Sequence, residues 1–467
     1  HHLFQEFLQG RLDKSGIDKK GLYKIAAGYY REHDDYSRAL RYWLLSGDYK
    51  GADNFLFLFL FRGHEEGVAT YADFLRTFCD EKLPKKAFHD APVLHVLYAW
   101  YYYLTSRHKE FAFHMDAILR NLPRIATAGN EFVEFALMAF HVDHRKSLKK
   151  QLRQFSIFGK VLNRFSQGGL ATNIASYTHN LPYLHRSNRD YSEMSLDHEI
   201  MSQIDNTFAP LLGTEWSYLR PCLIACFDYE CNLLEDSLSK NESVMGLLTE
   251  ECKPDGRIGV FILQHSILWQ LGKQDEAQQM MESLRDLVDA SAQYFVPNLT
   301  AYQTKLNLLN GKKPAAYEWL DSFYVTDIDH IEFFRSFQHF TTARAYIAVG
   351  DAERALHYLL LLKAFGKNLN RLLDRCEAGA ILAALYWATN RKKEAETELE
   401  ETLAALQPYG FIRVVADEGA AVVPIIKRIL SKVSDKEYKG PLRRAFVNEV
   451  MLATHSFAGS HAGYMAG

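Results

Sequence analysis

Apolar residues recur at helical spacing on both sides of single glycines in the C-terminal half of the chain. Before Gly350, Ala343 and Tyr346 share a helix face, and after it Ala355 and Leu359 do the same. A helix that ends in a tight turn favours a residue that tolerates positive φ. A glycine between two apolar stripes therefore predicts a helix, a turn and a second helix.

This helix–turn–helix unit repeats along the chain. Small residues lie 39, 39 and 40 positions apart, and each follows a glycine or an asparagine by five positions. A small side chain lets two helix axes approach to about 8–10 Å. The repeat predicts an all-α fold, an α-α superhelix of TPR-like helix pairs in which each pair buries its apolar face against its neighbours. The small residues are Ala277, Ala316, Ala355 and Ala395, and the turn residues are Gly272, Gly311, Gly350 and Asn390.

Beyond residue 20 the pattern divides the chain into four parts. We expect N-terminal helical repeats over residues 21–155 and C-terminal repeats over 212–455. Between them, Gly168, Gly169 and Pro182 interrupt the helical spacing and indicate an irregular insertion or boundary over 156–211. Residues 456–467 are rich in Gly, Ala and Ser and predict a flexible tail.

Composition agrees with a long repeat array. The chain has 467 residues, more than the ~250–300 at which a single core stops growing. Its net charge of −3 offers no basic surface, so we expect no direct nucleic-acid binding. The apolar run from Phe55 to Phe61 is far shorter than the ~20 residues that span a bilayer. No export signal is present and the six cysteines are scattered, which favours a cytoplasmic protein without a membrane partner.

Motifs of catalysis and metal binding are absent or weak. The sequence contains no GxSxG, HExxH or GxGxxG motif, so we expect no enzyme and assign no catalytic residue. The cysteines between Cys222 and Cys231 lack the CxxC spacing of a zinc site and are interpreted as buried thiols. His141 and His144, with Glu134 two turns earlier, would offer a metal two imidazoles and a carboxylate. A solvated helix edge is the better interpretation of that spacing, and we predict no metal site.

Binding residues are expected where rings and charges converge. In a superhelix one helix of each pair lines the concave face, so unusual polar or aromatic residues there are candidates for ligand contact. The irregular stretch concentrates such residues outside the repeat, where loops on a rigid scaffold often carry function. The candidate ligand-binding residues are Tyr102, Tyr183, His185, Arg186, Arg189, Asp190, Trp216, Tyr218 and Arg220.

Each candidate also has a purely structural interpretation. The rings from Tyr101 to Tyr103 fit the core between repeats. Arg189 and Asp190 are placed to tie the irregular stretch to its neighbours. The residues from Trp216 to Arg220 fit ordinary packing at the start of a helix. The sequence alone leaves both interpretations open.

Three stretches carry a family resemblance. The phrase GFIRVVADEG from Gly410 to Gly419 resembles the one that closes the sensor repeats of MalT-like regulators, the large ATP-dependent LuxR-type transcription activators. The opening residues His2 to Leu8, followed by Arg11 and Leu12, resemble the end of the winged-helix domain that precedes those repeats, so residues 1–20 are assigned to that end and a linker. Residues 343–355 are similar to the internal repeat of the same regulators.

The resemblance implies parts that this sequence does not contain. MalT-like regulators bind ATP through a GxxxxGK[ST] loop, and no Gly-Lys pair here is followed by Ser or Thr. Their LuxR-type helix-turn-helix follows the repeats. We therefore expect a sensor fragment without a cofactor of its own, with ATP bound by an N-terminal domain of the parent protein.

Two functions follow as expectations. In the first, a small-molecule inducer binds the concave face, and the parent protein relays binding to self-association and promoter recognition. Such coupling requires that the inducer bind one conformation better than the other. In the second, the groove is a protein-interaction scaffold that binds a peptide or a partner protein.

Overall fold

The computed structural model describes residues 16–51, 83–153, 181–323 and 331–465, and the single positions 11, 72, 75, 76 and 79. These residues fall into two compact units. The first holds the described parts of 1–103 and 109–140, and the second holds those of 104–108 and of the chain from 141 onward, except for 166–175.

The first unit is helical throughout its described residues. Rings pack its helix pairs together: Tyr30 stacks on Tyr42 with 5.4 Å between ring centroids, and Phe88 and Tyr98 surround His114. Helices that fall wholly or mainly in this unit are α1 (Lys19–Glu32), α2 (Tyr36–Leu45), α3 (Lys85–Asp90), α4 (Leu94–Leu104), α5 (His108–Ala128) and α6 (Asn130–His141).

The second unit is a succession of helices in which each one packs against the next. Its helices are α7 (His198–Leu212), α8 (Thr214–Glu230), α9 (Leu234–Met245), α10 (Pro254–Gln270), α11 (Gln274–Ser291), α12 (Val296–Leu309), α13 (Pro314–Ser322), α14 (Ser336–Val349), α15 (Ala352–Asn368), α16 (Leu372–Ala388), α17 (Lys392–Leu406), α18 (Arg413–Ala416), α19 (Val423–Val433) and α20 (Arg444–Ser460). No strand occurs among the described residues, and the predicted all-α, TPR-like fold is confirmed.

The turns have the conformation that the sequence predicted. Gly272, Gly311, Gly350 and Asn390 all have positive φ, between 61° and 88°. After Gly350, the Asp351 N–H donates to the Tyr346 carbonyl at 2.8 Å, the 6→1 bond that closes a Schellman motif. The four alanines are buried where the helices of each pair cross. The small residue and the turn residue therefore act together to set the angle of each pair.

The same offset occurs at two further turns, those at Asn232 and Asp34. Asn232 has positive φ and is followed five positions later by buried Ser237, whose hydroxyl donates to the Ala225 carbonyl at 2.7 Å. In the first unit, Asp34 has positive φ and is followed by buried Ala39. Ser106 has positive φ too, but the residue five positions later is Phe111, which is not small. Asparagine, aspartate and serine are weaker signals of positive φ than glycine.

The two helices of a pair differ in their surroundings. The first helices of successive pairs, α8, α10, α12, α14 and α16, are buried on most sides and are called the inner helices below. The second helices, such as α11 and α17, bury one face and expose the other. The polar residues that the inner helices carry are therefore removed from water.

The irregular stretch and the tail can be compared with the predicted boundaries. Residues 156–180 of the predicted insertion lie outside the described residues. Leu181–Ser195 is irregular apart from two short 3₁₀ turns, whereas the rest of the predicted range is mostly the helix His198–Leu212. The tail differs from the prediction of flexibility in its described part. Helix α20 continues to Ser460, and Tyr464 is buried with its hydroxyl 2.6 Å from a Glu418 carboxylate oxygen. Gly, Ala and Ser suggested flexibility, but this one aromatic anchor orders the chain.

Overpacking a helix crossing tests this account of the repeats. We expect Ala355→Leu to lower the free energy of unfolding by about 1–3 kcal/mol, because the added carbons have no space at a buried crossing. His357→Leu, on the exposed face of the same helix, is the matched control and should change stability by less than about 0.5 kcal/mol. Urea unfolding followed by circular dichroism measures both, and equal effects would contradict the crossing role.

Candidate functional site

A polar cavity lies between the inner helices of the second unit and the irregular stretch. The centre of a water molecule can range over about 30 Å³ of it, which is room for about one or two waters. Helices α8, α10, α12 and α16 and the phrase that closes the repeats all contribute to its wall. The lining residues are Tyr183, Leu184, His185, Arg186, Cys226, Tyr229, Glu230, Gly259, Leu263, Ser266, Lys305, Glu377, Val414, Asp417 and Glu418.

Residues Leu181–Ser195, called the inner segment, form one side of this cavity. The segment is not helical, so its backbone polar groups need partners outside regular structure. The guanidinium of Arg371 supplies two of them, donating to the carbonyl of Arg186 and, at 2.8 Å, to that of Ser187. Within the segment, the Tyr191 N–H donates to the His185 carbonyl at 2.9 Å.

Asp190 joins the inner segment to the start of an inner helix. Its carboxylate accepts from the backbone N–H of Leu373 at 2.8 Å, in the first turn of α16. The residue that precedes this helix, Arg371, makes no capping hydrogen bond with its side chain. A carboxylate at a helix N-terminus satisfies an otherwise orphaned donor and interacts favourably with the helix dipole. Asp190 is thus the N-terminal cap of a helix that is distant in sequence.

Arg186 is the central charge of the inner segment. Its guanidinium contacts Glu377 at 2.6 Å and Asp374 at 3.6 Å, and it lies over the Tyr183 ring at 4.6 Å. Burial alone would lower the pKa of Arg186, but the carboxylates of Glu377 and Asp374 raise it overall. The guanidinium therefore stays charged although it is buried.

Glu377 receives a second guanidinium from the opposite side. Arg344 contacts it at 2.7 Å and also pairs with Glu418, which in turn accepts from the Tyr464 hydroxyl. Burial alone would raise the pKa of Glu377, but the charges of Arg186 and Arg344 hold it well below its usual range. Glu377 is therefore an anion shared between two inner helices and the inner segment.

Lys305 lies at the edge of the same network. Its ammonium is 4.0 Å from a Glu377 oxygen and 3.4 Å from the Tyr183 hydroxyl. Burial lowers the pKa of Lys305 and outweighs the opposing effect of Glu377. Lysine carries a compact charge that changes its protonation readily when buried, unlike arginine.

His185 forms a second buried ion pair across the cavity. Its Nε2 lies 3.0 Å from Glu230 Oε1, and both side chains are buried. Burial alone would lower the pKa of His185, but its neighbours Cys226 and Glu230 outweigh burial and raise it to about 9. The Glu230 carboxylate thus favours the imidazolium form of His185.

Some polar atoms beside the cavity lack a hydrogen bond. Within the part of the chain that the structure describes, the Nη1 atom of Arg186 and the Oε2 atom of Glu230 are buried without a hydrogen-bond partner. Buried polar groups without partners are rare, and those that occur often mark sites that water or a ligand completes. Both atoms belong to residues that line the cavity.

The structure brings together only some of the predicted site residues. Tyr183, His185 and Arg186 line the cavity. Asp190 caps α16, and Arg189 donates to the carbonyls of His141 and Lys146 at 3.1 Å, so this pair ties the segment in place. Arg189 and Asp190 therefore hold the inner segment against its neighbours, as their structural interpretation predicts, and do not line the cavity.

The remaining candidates lie away from the cavity. Trp216 donates to Asp205 at 3.1 Å, and Arg220 contacts the same carboxylate at 2.6 Å, which links α7 to α8. Tyr218 is fully buried against Gly256, and its hydroxyl bonds to Glu215. Tyr102 belongs to the first unit, where its ring contacts Tyr98, Tyr101 and His114.

Sequence reasoning missed the residues that the inner helices contribute. These are Glu230, Lys305, Arg344, Glu377, Asp417 and Glu418. A signal existed for two of them: Lys305 and Arg344 are 39 positions apart, and each precedes a turn glycine by six positions. A charge at the same place in successive repeats, inside a largely apolar helix, would have identified them.

The residues considered for metal binding have other partners. Cys222 and Cys226 are buried thiols, and burial raises the pKa of Cys226 well above its usual value. The Nε2 of His141 lies 2.8 Å from the Tyr191 hydroxyl, and burial lowers the pKa of His144 to about 4. The side chain of Glu134 lies outside the described residues. Over the described ranges, no group of three His, Cys, Asp or Glu side chains has an arrangement that would hold a metal ion.

The His185–Glu230 pair predicts a pH dependence. The folded-state pKa of about 9 exceeds the unfolded value of 6.5, so the stabilisation is complete below about pH 6.5 and is lost as the pH rises to about 9. We expect the difference in unfolding free energy between the native chain and His185→Gln to shrink over that range, by up to about 3 kcal/mol. Urea titrations at several pH values with a reductant present measure it. A constant difference would show that His185 is neutral in the folded chain.

Comparisons with known proteins agree with the repeat. A family model described as the MalT-like TPR region matches residues 229–432, which include most of the inner helices. Two strains of Klebsiella pneumoniae have an HTH-type transcriptional regulator MalT that is 28% identical over 161 residues, and the Cronobacter sakazakii regulator of that name is 27% identical. The aligned stretch is 34% of this chain and 18% of the length of those relatives.

Among the described residues, no helix is both long and apolar enough to span a membrane. The matched segment contains the turn glycines, the crossing alanines, and Lys305, Arg344 and Glu377 of the charge network. The fold, its period and its relatives thus agree that residues 229–432 of this chain are similar to the MalT-like TPR region.

Proposed function

We propose that this chain is the ligand-sensing helical-repeat part of a transcriptional regulator, and that a small polar molecule binds among the inner helices. The observation that supports this most strongly is the buried charge network around the cavity. Its members, Arg186, Arg344, Glu377 and Glu418, are nearly or fully inaccessible to water. Their charges converge on one place rather than being distributed along the repeats.

Such a network is costly if stability is its only role. Removing charges from water costs several kcal/mol per ion, and apolar residues of similar volume often stabilise a fold as well or better. A packed repeat has no need of buried charges, because neighbouring pairs already bury their apolar faces. We infer that the charges serve recognition and are retained for it.

The chemistry of the wall favours a small polar ligand. Tyr183 and Tyr229 offer ring faces, and Ser266 and Lys305 offer hydrogen-bonding groups. Ligand pockets typically combine aromatic surface with a few convergent polar groups. The same groups would orient a polyhydroxylated or charged metabolite. The proposed role is binding alone and requires no nucleophile or base.

The closing phrase of the repeats offers a route for the signal. Asp417 and Glu418 line the cavity, and the Ile412 N–H donates to the Glu230 carbonyl at 2.6 Å. A ligand that changes these contacts alters how the end of the repeats is held. We propose that parts of the protein outside this sequence read that change, using ATP for self-association and a helix-turn-helix for promoter DNA. The setting would be the cytoplasm.

A protein-interaction scaffold is the second candidate. The observation that favours it is the inner segment itself, because a stretch of irregular polypeptide already lies against the inner helices. A surface that binds its own chain in this way has the groups needed to bind another.

A thermal-shift screen of metabolites tests the first candidate. An inducer at about 100 times its dissociation constant should add about 2.7 kcal/mol to the stability of the folded chain. Tyr183→Phe should reduce the stabilisation that a binding metabolite produces, because the substitution removes a hydroxyl that lines the cavity. Tyr218→Phe, whose hydroxyl bonds to Glu215 outside the cavity, is the matched control.

The screen also separates the two candidates. A hit whose effect is reduced by Tyr183→Phe and not by Tyr218→Phe supports the sensor. If no metabolite shifts the melting temperature while a defined protein partner co-purifies with the chain, the sensor proposal is wrong and the scaffold is favoured.

A further inference from the structure

The size of the cavity sets a condition on any ligand. Its space suits one or two water molecules, whereas small-molecule pockets typically enclose about 300–1,000 Å³. A ligand of metabolite size therefore requires part of the wall to move. The inner helices are fixed by their pairing with neighbouring helices, but the inner segment belongs to no helix pair.

The inner segment is held by polar contacts of the kind that bind a peptide ligand. Arg186 places a guanidinium against Glu377, and Asp190 places a carboxylate on the Leu373 N–H. Arg371 donates hydrogen bonds to two consecutive backbone carbonyls, those of Arg186 and Ser187. All three contacts use groups that a peptide with an arginine and an acidic residue four positions later would supply if it adopted the same irregular loop.

An apolar contact also holds the inner segment against the inner helices. Leu184 lies so close to α10 that a Cβ at Gly259 would come within 2.5 Å of its Cγ. Glycine at this position therefore makes room for the side chain of the segment. A larger residue there would push Leu184 away from the wall without touching the charge network directly.

The groups left behind restrict what can replace the segment. Without it, Asp374 and Glu377 lose a guanidinium, Arg371 loses two acceptors and the Leu373 N–H loses its cap. Buried groups that lose their partners are strongly unfavourable, so a replacement must offer both a cation and correctly spaced oxygen acceptors.

We propose that the inner segment is a tethered occupant of a peptide-binding site, and that a peptide with an arginine and an acidic residue four positions later, folded into the same irregular loop, displaces it. The inference rests on the proposed function only in taking the inner helices as the binding face. Displacement would open the small cavity, so a partner peptide would control access to it.

Binding of the segment as a separate peptide tests the proposal. The probe is a fluorescein-labelled synthetic peptide of residues 181–193, with the sequence LPYLHRSNRDYSE, titrated into the full chain and followed by anisotropy. The variants Arg186→Gln and Asp190→Asn weaken the hold on the tethered segment, leave the wall that receives it unchanged, and should bind the peptide at least tenfold more tightly than the native chain does. Arg220→Gln, at an arginine that pairs with Asp205 away from the cavity, is the matched control and should behave as the native chain.

Peptide variants establish the chemistry. A peptide with Arg186→Gln should bind the Arg186→Gln chain at least tenfold more weakly than the native peptide, because it offers no cation to Glu377. Variant chains that keep the native circular dichroism but bind neither peptide, or both equally, would overturn the proposal.

Hydrogen exchange on the native chain gives a test that no variant can confound. A tethered segment has a millimolar effective concentration, so native peptide is added above that level. The amide of Tyr191, which bonds to His185 within the segment, should exchange faster, while the amide of Leu373 stays protected because the peptide supplies a new cap. No change at either amide, or acceleration of both, would overturn the proposal. Neither experiment uses a metabolite, so their outcome is separate from that of the thermal-shift screen.

Discussion

The shared carboxylate of Glu377 is the interaction on which the inner structure of the second unit depends. It receives Arg186 from the inner segment and Arg344 from α14, and it lies on α16. A buried charge is tolerated only when it is paired, so each of these three elements constrains the other two. Through Arg344 and Glu418 the constraint extends to Tyr464 near the end of the described chain.

The helical repeat makes this arrangement possible. Positive-φ turn residues and buried alanines fix the pairs at a constant period, so equivalent positions of successive inner helices lie side by side. Lys305 and Arg344 occupy such equivalent positions and therefore meet at one network. The inner segment then supplies the remaining cation and the cap of α16, and it lines one side of the cavity.

Much of the fold could be predicted from the sequence because its determinants are local. Gly350 and Ala355 act within one helix pair, and their spacing shows directly in the chain. Of the site, Tyr183, His185 and Arg186 could be found because they share one irregular stretch. Glu377 and Glu230 could not, because their pairing with that stretch depends on contacts between residues far apart in sequence. Trp216 and Arg220 are residue types that often contact ligands, yet both side chains bind Asp205 away from the cavity.

A double-mutant cycle between Arg186 and Glu377 tests the central claim most directly. Each single change, Arg186→Met or Glu377→Gln, leaves a buried charge with one close partner fewer and should cost about 3–5 kcal/mol of unfolding free energy. The double variant removes both charges, so its cost should fall short of the sum by at least about 1.5 kcal/mol. Costs that add to within about 0.5 kcal/mol would show that the two residues are not coupled and would contradict the account.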